Sequence, residues 1–402
     1  MTRQRKGHAA PPHGPIPFHR PSLGGAERDA VIEVLDSRWL TTGQKCLAFE
    51  EAVRASVGSA YAVAVNSATA ALHLALEALG VRAGDEVIVP TYTFASCGEV
   101  VRYLDARPRL ADVDPVTLMV TPATIEPLLR AETKAIMVVH YAGRLARMEP
   151  ILELARSRGL AVVEDAAHAL PCSRGGHQAG AWGDVGALSF YATKTVTTGE
   201  GGMLVTDSTE IANRARSMRL HGLTRDAWKR YSGGGSWYYE IEDVGFKYNL
   251  TDLAAAIGLV QLDRAEAMRV ERERVARRYG QAVRAAGIAD LVELPEDPAA
   301  DEVHAWHLYP LRLHLDRLSI GRAAVIDRLG EAGICASVHF IPLHMHPYYR
   351  RTYGYQAADL PVAAREYERE ISLPIFPDLG DDEVDYIVER LAEILARPGT
   401  MG

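Results

Sequence analysis

Between residues 61 and 206 short apolar runs alternate with helical stretches, and this pattern limits the fold more than any other feature of the chain. Tyr61–Asn66, Glu86–Pro90, Ala135–Val139, Leu160–Asp165, Gly186–Tyr191 and Gly202–Thr206 read as strands. Ala68–Leu79 carries Leu72, Leu76 and Leu79 on one helical face, and Pro150–Arg158 carries Ile151, Leu154 and Ala155. Strands apolar on both faces and separated by helices predict an α/β fold with a mostly parallel sheet covered by helices. Ligands of such sheets bind beyond the carboxyl ends of the strands, so chemistry is expected there.

After residue 252 the pattern changes. Leu253–Ala286 is rich in Arg and Glu, has helical periodicity and lacks Pro, which predicts one long connecting helix. A strand at Trp306–Leu315, a helix at Arg322–Ala332, a strand at Ile334–Phe340 and an amphipathic helix at Asp381–Ala396 follow. The expected organisation is a flexible tail over 1–20, a large α/β domain over 21–262 and a smaller α+β domain over 263–402. No repeat is visible.

Charge and cysteine content narrow the class. The formal net charge is −8, which argues against nucleic-acid binding through a basic surface. No run of 18 apolar residues occurs, and the first residues lack the apolar segment of a secretory signal. Cys46, Cys97, Cys172 and Cys335 are widely spaced, which signals neither a zinc site nor a disulfide framework. A reducing cytoplasm is the expected location.

Three strand ends carry candidate chemistry. Val63–Leu76 (VAVNSATAALHLAL) runs from strand through a small polar turn into a helix whose free first-turn N–H groups suit a phosphate; a capped helix start is the plainer reading. Leu160–Leu170 (LAVVEDAAHAL) delivers Glu164 and Asp165 at a strand end, with His168 three residues on. Such an acid serves as a metal ligand, a salt-bridge partner or the partner of a cationic heterocycle, and no metal-ligand set surrounds it. Gly186–Thr206 places Ser189, Tyr191 and Lys194 ahead of the turn Gly199–Gly202. Only six of the 44 basic residues are lysines, at 6, 45, 134, 194, 229 and 247, and Lys194 alone follows an apolar strand into a loop of small residues. A buried lysine loses its proton more easily and forms Schiff bases. A Schiff-base lysine, an acid for a pyridine nitrogen and a phosphate cup at a helix start together fit pyridoxal phosphate.

These residues resemble the sugar aminotransferases of the StrS/DegT type, which have the type I (aspartate aminotransferase) fold of pyridoxal phosphate enzymes. The resemblance runs from Arg38 to Ala396. It rests on WLTTG at Trp39–Gly43, NSATAALHLAL at Asn66–Leu76, PTYTFASC at Pro90–Cys97, VVHYAG at Val138–Gly143 and EDAAHA at Glu164–Ala169. It continues through SFYATKTVTTGEGGM at Ser189–Met203, LHG at Leu220–Gly222, GFKYNLTDLAAAIGLVQL at Gly245–Leu262, AWHLYPLRL at Ala305–Leu313, HFIPLH at His339–His344 and SLPIFPDL at Ser372–Leu379.

The resemblance implies a sheet of about seven strands in the large domain. It implies that Lys194 is the Schiff-base lysine and moves the proton between cofactor and sugar carbon. Asp165 would bind the pyridine nitrogen, Phe94 stack on the ring, and His168 lie near the ring's phenolic oxygen. Ser67, Ala68, Thr69 and Ser189 would hold the phosphate, and Asn249 would reach it from a neighbouring subunit, implying a homodimer with shared sites. Tyr191, Lys247, Tyr248, His339 and His344 would line the sugar side, Lys247 offsetting a diphosphate charge. Ala68, His168 and Thr195 stand where Gly, Gln and Asn are usual. The implied reaction moves an amine from L-glutamate, by way of pyridoxamine phosphate, to a keto group of a nucleotide-linked deoxy sugar, at C4 in the branch that looks nearest. C3-keto sugar and cyclitol amination are the alternatives within the family.

Rivals of other kinds have less in the sequence. A regulator that binds the cofactor without catalysis would carry a DNA-binding module, and the first 25 residues are too few. A sugar 3-dehydratase resembles this chain but has His at the lysine position. A desulfurase-like lyase needs a reactive Cys near the site, and Cys97 fits packing better. His344 and His346 lack a third metal ligand. The Gly- and aromatic-rich segment Ser232–Glu240 reads as a lid, an interface loop or plain surface.

Overall fold

A computed structural model describes residues 11–223 and 238–396. Seven strands form the main sheet: β1 (Tyr61–Val65), β2 (Glu86–Pro90), β3 (Arg107–Ala111), β4 (Thr133–Val139), β5 (Ala161–Asp165), β6 (Val185–Ser189) and β7 (Gly202–Thr206). Their order is β1-β7-β6-β5-β4-β2-β3, and β7 alone runs against the other six. The expected mostly parallel α/β architecture is therefore present. β3 is the strand the apolar pattern missed. It is an edge strand with two arginines and a proline, and at an edge the sheet does not require the proline's missing N–H or full burial.

Alternation along the strands sorts side chains into two cores. Ala64, Ile88, Ile136, Val138 and Val162 pack on one face, and Val63, Val65, Val87, Val89, Met137 and Val163 on the other. Helix α1 (Ala68–Ala78) lies on the second face and is buried over most of its surface, which matches its lack of a polar side.

A third core lies in the C-terminal part, around the short sheet of β8 (Val292–Glu293), β9 (Tyr309–Leu313) and β10 (Glu370–Leu373), in the order β8-β9-β10. Two expectations change here. Ile334–Phe340 is not a strand; Ile334 and Ser337 make isolated bridges to Ile16 and Ser372, and β10 takes the edge position instead. The long connecting helix is two helices, α2 (Asp252–Asp263) and α3 (Ala265–Ala285). The break is at Arg264 (φ −94°, ψ 0°), whose guanidinium pairs with buried Glu27 at 2.6 Å. No Pro or Gly marks it, so periodicity alone runs through it.

The segment expected as a flexible tail is also partly ordered. Residues 11–20 dock on the C-terminal unit: Ile16 is fully buried, its N–H donates to the Gly333 carbonyl at 2.8 Å, and its carbonyl accepts from Cys335 N at 2.9 Å. Paired backbone and an apolar anchor outweigh the Pro- and His-rich composition. Among the described residues no helix is long and apolar enough to cross a membrane.

Candidate active site

The carboxyl ends of the parallel strands converge on a cavity of about 520 Å³. β1 contributes Ser67, Ala68 and Thr69, β2 leads to Phe94, β5 ends on Asp165 with His168 beyond it, and β6 supplies Ser189, Tyr191 and Lys194. The C-terminal unit closes it with His307, His339 and Phe340, and the N-terminal segment with Phe18.

Adjacent carboxylates at the end of β5 separate by strand alternation. Glu164 turns away from the cavity and is fully buried. It accepts N–H bonds from Gly180 (2.9 Å), Trp182 (2.7 Å) and Gly183 (2.6 Å) and pairs with His140 Nε2 at 2.7 Å. Asp165 lines the cavity. Its Oδ1 accepts from Ala167 N at 3.0 Å and its Oδ2 from Cys97 Sγ at 2.9 Å. Burial pushes the Cys97 thiol well above its ordinary range, helped by the Asp165 charge, so Cys97 is a donor and not a thiolate nucleophile.

Lys194 is set by a turn in which its N–H donates to the Tyr191 carbonyl at 2.9 Å. Burial lowers the ammonium to about 8, against an opposing pull from Asp165. Its Nζ lies 3.5 Å from His307 Nε2. His168 and His307 pack at a tilt of 48° with centroids 4.3 Å apart, and burial holds both rings well below the usual histidine range, so they are neutral at pH 7. Lys194 is therefore the cation among the three.

Two observations test whether pyridoxal phosphate fits. The Nδ1 atoms of His168 and His307 are buried without a protein partner, an unusual state for buried polar atoms and one that leaves hydrogen-bonding capacity for a ligand. At the other end, α1 begins with Ser67 as N-cap, its Oγ accepting from Ala70 N at 3.1 Å. The first-turn N–H groups have no acceptor within a helix and attract anions. Gly202 allows this approach: a Cβ there would lie 2.3 Å from the Ser67 carbonyl carbon. A phosphate cup, a carboxylate and a lysine share one cavity, and the donor set fits the cofactor.

Not every expected residue enters the cavity. Ser67, Ala68, Thr69, Phe94, Asp165, His168, Ser189, Tyr191, Lys194 and His339 line it. Tyr248 does not; its hydroxyl meets His73 Nδ1 at 3.1 Å and its ring stacks on Phe246. His344 does not either; it is fully buried with Nδ1 2.7 Å from Thr91 Oγ1, a packing role. Lys247 and Asn249 lie outside this chain's cavity, the lysine exposed and bonded to Asn249 Oδ1, and Asn249 Nδ2 donates to Thr42 Oγ1 at 2.8 Å. Residues 232–237 of the aromatic segment lie outside the described residues; Tyr238 beyond them is exposed. The sequence reading assigned no role to His307, Phe340 or Phe18. His307 and Phe340 sit inside motifs quoted above, but nothing in their spacing aims them at the cavity, and Phe18 lay in the supposed tail.

The model of the DegT/DnrJ/EryC1/StrS aminotransferase family matches residues 21–392, and the chain belongs to that family. It is 44% identical over 382 residues to the spore coat polysaccharide biosynthesis protein SpsC of Bacillus subtilis, covering 94% of this chain and 97% of SpsC. The putative sugar aminotransferase Spr1654 of Streptococcus pneumoniae, solved in a PLP-form, superposes with a TM-score of 0.88 at 30% identity, covering 96% of this chain and all of that one. The Helicobacter pylori aminotransferase PseC, involved in the biosynthesis of pseudoaminic acid, superposes with a TM-score of 0.87 at 26% identity over 95% and 99% of the two chains. The chain is accordingly a pyridoxal phosphate-dependent sugar aminotransferase.

Proposed function

We propose that this enzyme transfers the amine of L-glutamate to a keto group, at C4, of a nucleotide-linked deoxy sugar destined for a cell-surface glycan or natural product. The observation that carries the assignment of residues is the meeting of Lys194, Asp165 and the Ser67–Thr69 helix start in one cavity. Pyridoxal phosphate, when bound, supplies an electron sink and a carrier for the amine. Asp165, its two oxygens fixed by Cys97 and Ala167, holds the proton on the ring nitrogen. Ser67, Ala68, Thr69 and Ser189 bind the phosphate at the α1 N-terminus. Phe94 and His168 flank the ring. Lys194 Nζ, poised near neutral pH, takes the proton from the donor carbon and returns one to the sugar carbon. Burial makes the neighbouring His168 and His307 weaker bases than Lys194, so the lysine is the preferred proton acceptor among the three.

Tyr191 and His339 are the sugar-side residues of this chain's cavity. Lys247 and Asn249 lie outside it, the placement expected of groups that serve a neighbouring subunit. Ile241 and Val244, 66% and 84% exposed a few residues upstream, are apolar side chains that a second copy would cover in the proposed homodimer. The names of SpsC and PseC, tied to a polysaccharide and to pseudoaminic acid, favour a surface-glycan role.

The test is a panel of 3-keto and 4-keto sugar nucleotides and a keto-cyclitol, each incubated with holoenzyme and L-glutamate, with products assigned by NMR. A 4-amino sugar nucleotide is expected. Turnover of the cyclitol or the 3-keto sugar alone overturns the assignment, and sedimentation tests the dimer.

A further inference from the structure

A buried polar chain lies behind the sugar side of the cavity. Glu370 and Ser372 alternate along β10 and so share one face. Ser372 bridges Ser337 through paired backbone bonds of 3.1 and 2.8 Å, which draws residues 337–339 against that face. His339 Nδ1 lies 2.9 Å from Ser372 Oγ, Ser372 Oγ lies 2.5 Å from Glu370 Oε1, and Glu370 Oε2 accepts from His339 N at 2.9 Å. Glu370 and Ser372 are fully buried. Tyr141 OH donates to the His339 carbonyl at 2.7 Å, which fixes the backbone, and Phe18 stacks on the imidazole at 5.2 Å. With Nδ1 engaged, Nε2 is the nitrogen left for the cavity that His339 lines.

We propose that Glu370 and Ser372 are positioning residues that set the tautomer of His339, so that Nε2–H faces the cavity as a donor to a keto or hydroxyl oxygen of the substrate. This rests on reading that wall as the sugar side. The hydrogen bonds run one way at a time. With a proton on Glu370, its O–H donates to Ser372 Oγ, Ser372 O–H donates to His339 Nδ1, and the ring proton sits on Nε2. When one proton is lost, Ser372 O–H donates to the carboxylate, His339 Nδ1–H donates to Ser372, and Nε2 becomes an acceptor. The proton count falls by one, the ring stays neutral, and donor turns to acceptor at the cavity.

The surroundings favour the protonated state. Among the described residues no cation lies within ion-pair distance of Glu370. Arg312 is committed to Glu366 and Glu293, and Arg322 donates to the Tyr367 carbonyl and stacks on that ring. Tyr92 and Tyr141 also face Glu370, and burial holds both phenols neutral. Burial raises Glu370 to about 8, against weaker pulls from Ser372, His339 N, Arg322 and Arg312. Burial and the Lys194 charge lower His339 to about 4, which keeps the ring uncharged.

Two experiments decide it. In ¹⁵N-histidine NMR of the holoenzyme, with His339 assigned by the spectrum of His339→Gln, the ring is expected to carry its proton on Nε2 at pH 7 and on Nδ1 above pH 8; Glu370→Gln, whose carbonyl oxygen is kept by the His339 N–H so that its NH₂ donates to Ser372, is expected to keep it on Nε2 throughout. In kinetics, Ser372→Ala is expected to raise KM for the keto sugar roughly tenfold, as for one lost polar hydrogen bond, with a smaller change in kcat. An Nδ1-protonated ring at pH 7, or a tautomer shift that survives Glu370→Gln, overturns the proposal. So does a wild-type KM in Ser372→Ala. Failure of the wild-type enzyme to aminate any keto sugar strikes the substrate reading instead, and leaves the NMR result to stand by itself.

Discussion

The two walls of the cavity are built in different ways. The wall proposed for the cofactor comes from strand ends within one sheet, where Asp165 and Ser189 end β5 and β6, and Ser67 and Lys194 follow β1 and β6 within five residues. The opposite wall is assembled from distant segments: Phe18 from the N-terminal region, His307 ahead of β9, and His339 with Phe340 on a segment tied down by single bridges. The first wall inherits its geometry from hydrogen-bonded strands. The second depends on packing between units, which makes it the freer place for substrate choice to vary.

Lys194→Ala is the severest break in the first wall. It removes the proposed proton carrier and is expected to lower kcat by on the order of 10⁴, measured with glutamate and keto sugar. Turnover within tenfold of wild type would remove Lys194 from the mechanism. Asp165→Asn leaves shape but no charge at the ring nitrogen. A fall of about 10²–10³ in kcat is expected, with a changed absorbance spectrum of bound cofactor.

Glu164→Gln sharpens the contrast between neighbours on β5. Three N–H donors and His140 converge on Glu164, so this change is expected to cost about 3 kcal/mol of stability, read as a lower denaturant midpoint. Its effect on kcat should be far smaller than that of Asp165→Asn, and equal losses would erase the distinction between the two acids.

Cofactor capture by apoenzyme tests the same lysine by pH. The free amine reacts, and burial lowers Lys194 from 10.5 to about 8. The capture rate should therefore rise about tenfold per unit below pH 8 and level off above it. A rise that continued to pH 10 would mean an ordinary lysine. The apoprotein should also gain stability between pH 8 and 10.5, where the unfolded lysine holds more protons than the folded one. Phe18→Ala, on the second wall, has the mildest effect expected: KM for the sugar rises severalfold, of the order of one lost ring contact, while the glutamate half-reaction keeps its rate. A larger effect on glutamate than on sugar would place Phe18 on the wrong side.

The first wall was legible because its residues sit where a β-to-loop transition can be seen. Lys194 could be singled out by its rarity and its small-residue loop, and Asp165 by four apolar residues before an acidic pair. The choice of Asp165 over Glu164 came from the family resemblance, since alternation says only that the two differ. Tyr248 and His344 match a family pattern, but within this chain they lie outside the cavity, in contact with His73 and Thr91. His307, Phe340 and Phe18 could not be placed because nothing local aims them at one another.

Sequence alone determined the α/β class, the strand ends that bear chemistry and the lysine, acid and helix start suited to pyridoxal phosphate. These are short-range properties, written in periodicity and in the residues that end a strand or begin a helix. Tertiary structure decided that β3 completes the sheet, that residues 11–20 are docked, and that Glu370, Ser372 and His339 form one hydrogen-bonded chain. Those contacts join residues far apart in sequence. They exist only where the C-terminal unit packs its own core and brings β10 behind the cavity wall.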